Sequence, residues 1–247
     1  MAEPILRSID SSDTPDDEPK TLVEGAYRRL RRDIVEGRLA PNEKLRVEHL
    51  KDDYNVGAGT LREALALLVA DALVVAQGQR GFRVAPISLA DLSDITNTRV
   101  LLETEALRQS IEFGDDAWEG EVLAAFHRLS RAEEKLNAEE GISFDEWEDR
   151  NRIFHETLIA ACPSRWIHHF LSILYRQSER YRRLSIFSRT TPRDVHAEHA
   201  AIVDATVARK SALASELLAE HIRLTLQSIQ ELPAELIEHP RLTANKR

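Results

Sequence analysis

From residue 21 the apolar positions fall into a helical period. Leu22, Ala26, Leu30 and Ile34 recur every four residues, with Val23, Tyr27 and Val35 beside them. Thr21 and Glu24 make a capping box at the start, Gly37 stops the run, and Pro41-Asn42 turns the chain. Two shorter helical runs follow, about 47–54 around Leu50 and about 59–71 around Leu61, Leu65 and Leu68, with Asn55-Val56-Gly57 as the turn between them. Two β-rich runs, Leu73–Gln77 and Gly81–Ala85, flank Gly78-Gln79-Arg80 and predict a small hairpin. From Ser88 the pattern is helical almost to the end. It predicts helices near 88–113, 115–138, 143–161, 164–188, 192–208 and 211–231, broken at Gly114, Gly141, Pro163 and Pro192. Ser88 with Asp91, and Ser143 with Glu146, are further capping boxes.

This order predicts a mostly α protein: an N-terminal winged helix-turn-helix followed by an antiparallel bundle of about six helices. The expected organisation is a disordered acidic tail over 1–19, a DNA-binding unit over 20–86, a helical unit over 87–232 and a flexible tail over 233–247. Charge sharpens the picture. The chain carries a net −9, yet residues 20–86 hold twelve Lys/Arg against nine acids, the only net-positive segment, which suits a polyanion partner. The single cysteine, Cys162, excludes an internal disulfide and fits a reducing compartment. Neither a signal-peptide pattern nor an apolar run of membrane-spanning length is present, so the cytoplasm is expected.

The most specific string is VGAGTLREAL at 56–65, followed by LLVADALVVAQGQRGFRV, with IVEGRLAPNEKL upstream. It resembles the signature of the GntR family of bacterial regulators, over essentially all of 21–86. The resemblance implies a recognition helix with an Arg-Glu-Ala-Leu core and a wing bearing an Arg-Gly pair. The residue chemistry fits. Gly57 and Gly59 leave the backbone bare for approach to phosphate, Thr60 can donate to a phosphate oxygen, and Arg62 can reach guanine O6/N7. Lys44, Arg46, His49 and Lys51 flank the turn and can hold phosphates, while Gln79, Arg80 and Gly81 can enter the minor groove. Leu61, Ala64, Leu65 and Leu68 belong to the core. Many family members carry Arg two residues after the Val of this turn; here that position is Ala58, so no operator sequence is carried over.

Residues 88–231 resemble the helical ligand-binding domain of the FadR-type branch, the FCD domain, through Arg99-Val-Leu-Leu-Glu103, Asn151-Arg-Ile-Phe-His155, Glu198-His199 and His221. The resemblance implies a metal held inside the bundle by an Asp and three His, at positions that are Asn151, His155, His199 and His221 in this chain. The spacing agrees: Asn151 and His155 are i, i+4, and the other two histidines lie on later helices that a bundle can turn inward. Imidazoles suit a divalent transition metal, zinc first among them. A small organic-acid effector is then expected at Asn151, His155, His199 and His221, with Arg99 gripping its carboxylate. Asn151 in place of Asp removes a negative charge and should weaken the metal; the alternative is a metal-free site in which the histidines bind the acid directly. His127, His168, His169 and His196 are read as structural or exposed. The stretch FHETLIAACPS…LYRQSERYRRLS also resembles regulators of short dicarboxylic acid catabolism, such as glutarate. Of Tyr175, Arg176, Arg180, Tyr181 and Arg182, some can face the pocket, and most of the arginines are expected at the surface or a dimer contact.

The expected protein is a homodimer that reads a palindromic operator and releases it when effector binds. The rival is a metal-dependent hydrolase or isomerase with Glu198 as its base. That reading leaves VGAGTLREAL without a role, and Glu198, one residue from His199, points about 100° away from it. A helical scaffold without ligand is the third reading, and it would leave three inward histidines as costly buried polar groups.

Overall fold

A computed structural model describes residues 19–137, 143–186 and 193–232. The expected tails, apart from Pro19, and the breaks at Gly141 and Pro192 lie outside the described residues. The N-terminal unit runs α1 (Leu22–Val35), β1 (Lys44–Leu45), α2 (Val47–Asp53), α3 (Ala58–Ala70), β2 (Val74–Ala76) and β3 (Phe82–Val84). Its core joins Ala26, Leu30 and Ile34 of α1 to Leu61, Leu65 and Leu68 of α3, over Leu45, Leu50, Leu73 and Val84.

Thr21 caps α1 by accepting from the Glu24 amide at 3.1 Å. The Glu24 carboxylate reaches the Lys20 amide, one residue further back than a capping box would place it. Leu22 is 73% exposed, against the expectation that it shares the apolar stripe. Each four-residue step overshoots a helical turn by about 40°, so Leu22 has swung about 80° off the direction of Leu30.

The predicted hairpin forms with Val74 opposite Val84 and Ala76 opposite Phe82. Gly78 and Gly81 take φ of 55° and 87°, which the tight wing turn requires. Periodicity missed a third strand. β1 pairs with β3, Lys44 opposite Arg83, and gives the order β1-β3-β2. Two residues are too short to show alternation.

The C-terminal unit consists of α4 (Leu89–Phe113), α5 (Asp116–Asn137), α6 (Phe144–Leu158), α7 (Arg165–Ile186), α8 (Val195–Val207) and α9 (Ser211–Gln230). Ser88 and Ser143 cap α4 and α6, each accepting at 3.1 Å from the amide three residues on, but the Ser88 amide donates to the Tyr181 hydroxyl rather than to Asp91 as a capping box would have it. Gly114 ends α4, and a Cβ there would fall 2.1 Å from the Trp118 ring. α4 packs along α9 and α7, and α5 packs on α6 and α8, around Leu107, Leu129, Phe154, Leu158 and Ile202.

Helix α7 touches both units. Arg176 pairs with Asp71 at 3.0 Å, Gln177 donates to the Asp71 carbonyl at 2.6 Å, and Tyr27 donates to the Asp71 carboxylate at 2.5 Å. Glu179 pairs with Arg31, and Arg180 donates to the Ala85 carbonyl at 2.9 Å. Tyr181 donates to Asp91 at 2.7 Å, at the junction between the units. Of the arginines expected at the surface or a dimer contact, Arg180 and Arg182 are buried in this chain and Arg176 is half-buried.

Candidate functional site

The residues expected to meet DNA come from β1, α2, the start of α3 and the turn between β2 and β3. Lys44, Arg46, His49, Gly57, Gly59, Arg62 and Arg80 are exposed, whereas Lys51, Thr60 and Gly81 are half-buried. Gln79 lies in the wing turn between β2 and β3. Gly57 is the N-cap of α3 at a φ of −66°, and a Cβ on Gly57 or Gly59 would meet nothing within 4 Å. The fold itself therefore does not demand glycine at these two positions. Arg62 is 58% exposed. Sequence reasoning overlooked Glu48, which lies 2.8 Å from Lys51 and 4.0 Å from Arg62 and offsets part of their positive charge.

The second site lies inside the helical unit. His155 of α6, His199 of α8 and His221 of α9 are all buried, and a ring nitrogen of each lies within 4.8 Å of the others. The rings of His199 and His221 are 4.6 Å apart, and those of His155 and His221 are 5.2 Å apart. Asn151 sits one turn before His155, is buried, and shares a cavity of about 30 Å³ with Arg99, His155, Arg182, Arg193, His221 and Thr225. That volume holds roughly one water.

Each imidazole has a carboxylate at Nδ1. Glu133 Oε1 lies 2.8 Å from His199, Glu198 Oε2 lies 2.8 Å from His221, and Glu103 Oε2 lies 3.7 Å from His155, too far for a hydrogen bond. A carboxylate on Nδ1 selects the tautomer whose Nε2 keeps a free lone pair. His199 Nε2 is buried and has no hydrogen-bond partner. Burial holds His155 down at about 4, although Glu103 opposes the shift. Burial, with His199 and His155 adding to it, holds His221 well below its usual range. These two are neutral at pH 7 and ready to donate lone pairs. The residues present therefore fit a transition-metal ion.

Three arginines close around the cavity, and each already holds a glutamate. Arg99 lies 2.6 Å from Glu103 and above the Tyr175 ring. Burial would raise Glu103, but Arg99 and then His155 outweigh it and keep the acid at about 2. Arg182 pairs with Glu148, a buried pair linking α7 to α6. Arg193 grips both oxygens of Glu198, at 2.7 and 2.6 Å, and donates to the His221 carbonyl at 2.8 Å. Glu198 is thus taken up by Arg193 and His221 and is not free to act as the base that the hydrolase reading requires.

Of the pocket candidates, Arg99, Asn151, His155, His199 and His221 do converge, and Arg182 joins them from α7. Tyr175 lies beneath Arg99, while Arg176, Arg180 and Tyr181 turn to the N-terminal unit or the junction. Glu133, Arg193 and Thr225 escaped sequence reasoning. Glu133 is one acid in a charged stretch of α5, and Arg193 follows a proline that read only as a break. Glu103 was visible as the i+4 partner of Arg99.

Comparison with known proteins gives a consistent result. Residues 94–224 match the FCD domain, and residues 22–84 match the bacterial regulatory proteins of the gntR family. The HTH-type transcriptional regulator BphR of Paraburkholderia xenovorans strain LB400 is 48% identical over 222 residues, covering 90% of this chain and 91% of the relative. The HTH-type transcriptional repressor GlaR of Escherichia coli K12 is 38% identical over 218 residues, covering 87% and 98%. Among solved structures, E. coli McbR/YncC superposes with a TM-score of 0.68 at 19% identity, over 85% of this chain and 98% of the other, a likeness of fold. No described helix is long and apolar enough to cross a membrane.

Proposed function

Because the chain belongs to the gntR family of bacterial regulatory proteins and carries an FCD domain, it is a DNA-binding transcription regulator, and we propose that it is a repressor released from its operator by a small organic acid. The observation that carries this reading is a cluster of three buried histidines, two of which line a cavity together with three guanidiniums. The domain limits on this reading are 20–86 for DNA and 87–232 for the effector. Two copies bind a palindromic site in the cytoplasm, since one recognition helix reads too few bases for useful specificity. The name of the repressor GlaR supports the direction of control.

On the DNA side, Arg62 reads a base edge, Gly57, Gly59 and Thr60 lie against phosphate, and Lys44, Arg46, His49 and Lys51 flank them. Gln79, Arg80 and Gly81 of the wing follow the minor groove. Arg62→Ala is expected to weaken operator binding by about 1–3 kcal/mol, as loss of a bidentate base contact would. Fluorescence anisotropy with operator DNA measures this, and an unchanged affinity in a folded variant removes Arg62 from the base-reading set.

On the effector side, His155, His199, His221 and Asn151 would hold a divalent metal, zinc first among the candidates. When bound, the ion would supply a cationic anchor for an acid. The chain's own residues orient the acid: Arg99 and Arg182 present guanidiniums to its carboxylate, and Thr225 presents a hydroxyl. A cavity of about 30 Å³ is too small for an acid, so a side chain must move to admit one. Arg193, 16% exposed and the outermost of the three guanidiniums, is the group that yields. The likeness to FadR-type regulators of short dicarboxylic acid catabolism belongs to this proposal and suits a pocket with several guanidiniums.

Asn151 takes no side-chain hydrogen bond among the described residues and faces the cavity. Asn151→Asp puts an anionic oxygen beside the proposed cation, so zinc affinity is expected to rise by about tenfold, or ~1.4 kcal/mol. Zinc competition against a chromophoric chelator measures it, and equal or weaker binding removes Asn151 from the ligand set.

A further inference from the structure

A carboxylate taken out of water needs a cation or a full set of donors to stay ionised. Two acids beside the histidine centre have a cation: Glu103 has Arg99, and Glu198 has Arg193. Glu133 of α5 has no guanidinium or ammonium partner among the described residues, and it is 5% exposed. Its oxygens meet two imidazoles instead. Oε1 lies 2.8 Å from His199 Nδ1, and Oε2 lies 2.9 Å from His196 Nδ1. His196 is 48% exposed and stacks on Phe126 at 5.7 Å, whereas His199 is fully buried with Nε2 unpartnered.

The acid without a guanidinium and the orphaned nitrogen face each other across one imidazole ring. Nδ1–H donating to Glu133 leaves the lone pair on Nε2 and fixes the ring plane. A cation at Nε2 answers both needs at once: it satisfies the nitrogen, and its charge, felt through the ring, compensates the carboxylate. We propose that Glu133 is a positioning residue of the metal centre, holding His199 with Nε2 turned to the ion and supplying negative charge that the inner ligands lack. This rests on the reading of the three histidines as metal ligands given above. Three imidazoles and Asn151 carry no charge, so an outer carboxylate without a guanidinium partner carries particular weight.

The test compares zinc binding alone, in the full-length wild type and in Glu133→Gln. Glutamine keeps the size and an acceptor oxygen for Nδ1–H, and removes the charge. Zinc affinity is expected to fall ten- to hundredfold. The metal-free variant is expected to melt no lower than wild type, because an uncompensated buried charge has gone. A purely structural role moves the two readouts the other way, lowering the metal-free melting temperature and leaving zinc affinity unchanged, and that result overturns the proposal. So does unchanged affinity by itself. A wild type that binds no zinc overturns the metal reading and this inference with it, whereas equal binding by both proteins overturns only the role of Glu133. If the variant both melts lower and binds zinc less well, ¹⁵N imidazole NMR of wild-type His199 decides. With zinc, Nδ1 should stay protonated and Nε2 should take the ion, and the reverse assignment overturns the proposal.

Discussion

Replacing His199 with alanine is expected to abolish zinc-induced stabilisation and effector-induced release from DNA, while leaving effector-free DNA binding nearly intact. The ring is fully buried, lies 4.6 Å from the His221 ring, and presents an unpartnered Nε2. Removing it leaves two imidazoles, too few for a stable site with a neutral Asn151. Wild type at a hundredfold excess of zinc over Kd should gain about 2.7 kcal/mol by mass action, and the variant should gain almost none. DNA binding survives because the N-terminal unit has its own core, sharing no residue with the core around the histidines. Thermal melts with and without zinc, and anisotropy titrations of operator with and without a short organic acid, read the two effects. A wild type without metal, together with a variant that still responds to effector, would place the pocket elsewhere and return the histidines to a structural role.

The second large effect is expected at Arg182. Its guanidinium is buried against the Glu148 carboxylate, itself 5% exposed, and the pair ties α7 to α6 beside the cavity. Arg182→Met leaves Glu148 buried without its cation, which should cost about 3–5 kcal/mol in urea unfolding. The double variant Arg182→Met/Glu148→Leu should recover most of that loss, because no uncompensated charge then remains. A single-variant loss below about 1 kcal/mol would mean that Glu148 is neutral or finds another donor. The position also matters for control. The same helix holds Asp71, Arg31 and the Ala85 carbonyl of the N-terminal unit through Arg176, Gln177, Glu179 and Arg180. A helix that lines the cavity on one face and grips the DNA-binding unit on another can bias both with one small shift.

The family match also settles the contest between the sequence readings. A chain with a gntR-family segment and an FCD domain is a regulator rather than a hydrolase, and the engagement of Glu198 by Arg193 agrees.

Most elements of the fold were legible in the order of residues, because helix periodicity, caps and breakers are local properties. Thr21, Ser88 and Ser143 announce helix starts by chemistry that acts within four residues, and VGAGTLREAL places α3 by itself. The i, i+4 spacing of Asn151 and His155, and of Arg99 and Glu103, likewise needs only one helix. What tertiary structure alone decided is non-local. Leu22 faces water because a four-residue repeat drifts around a helix, and the core of α1 is centred on Leu30. β1 exists because β3 pairs with it, not because two residues favour a strand. Glu133 could not be told from its acidic neighbours until α5 packed on α8 and brought it to His199. The arginines of α7 looked like surface charge because guanidiniums usually are. They are buried here because the partners that make burial tolerable, Glu148 for Arg182 and the Ala85 carbonyl for Arg180, come from segments 34 and 95 residues away.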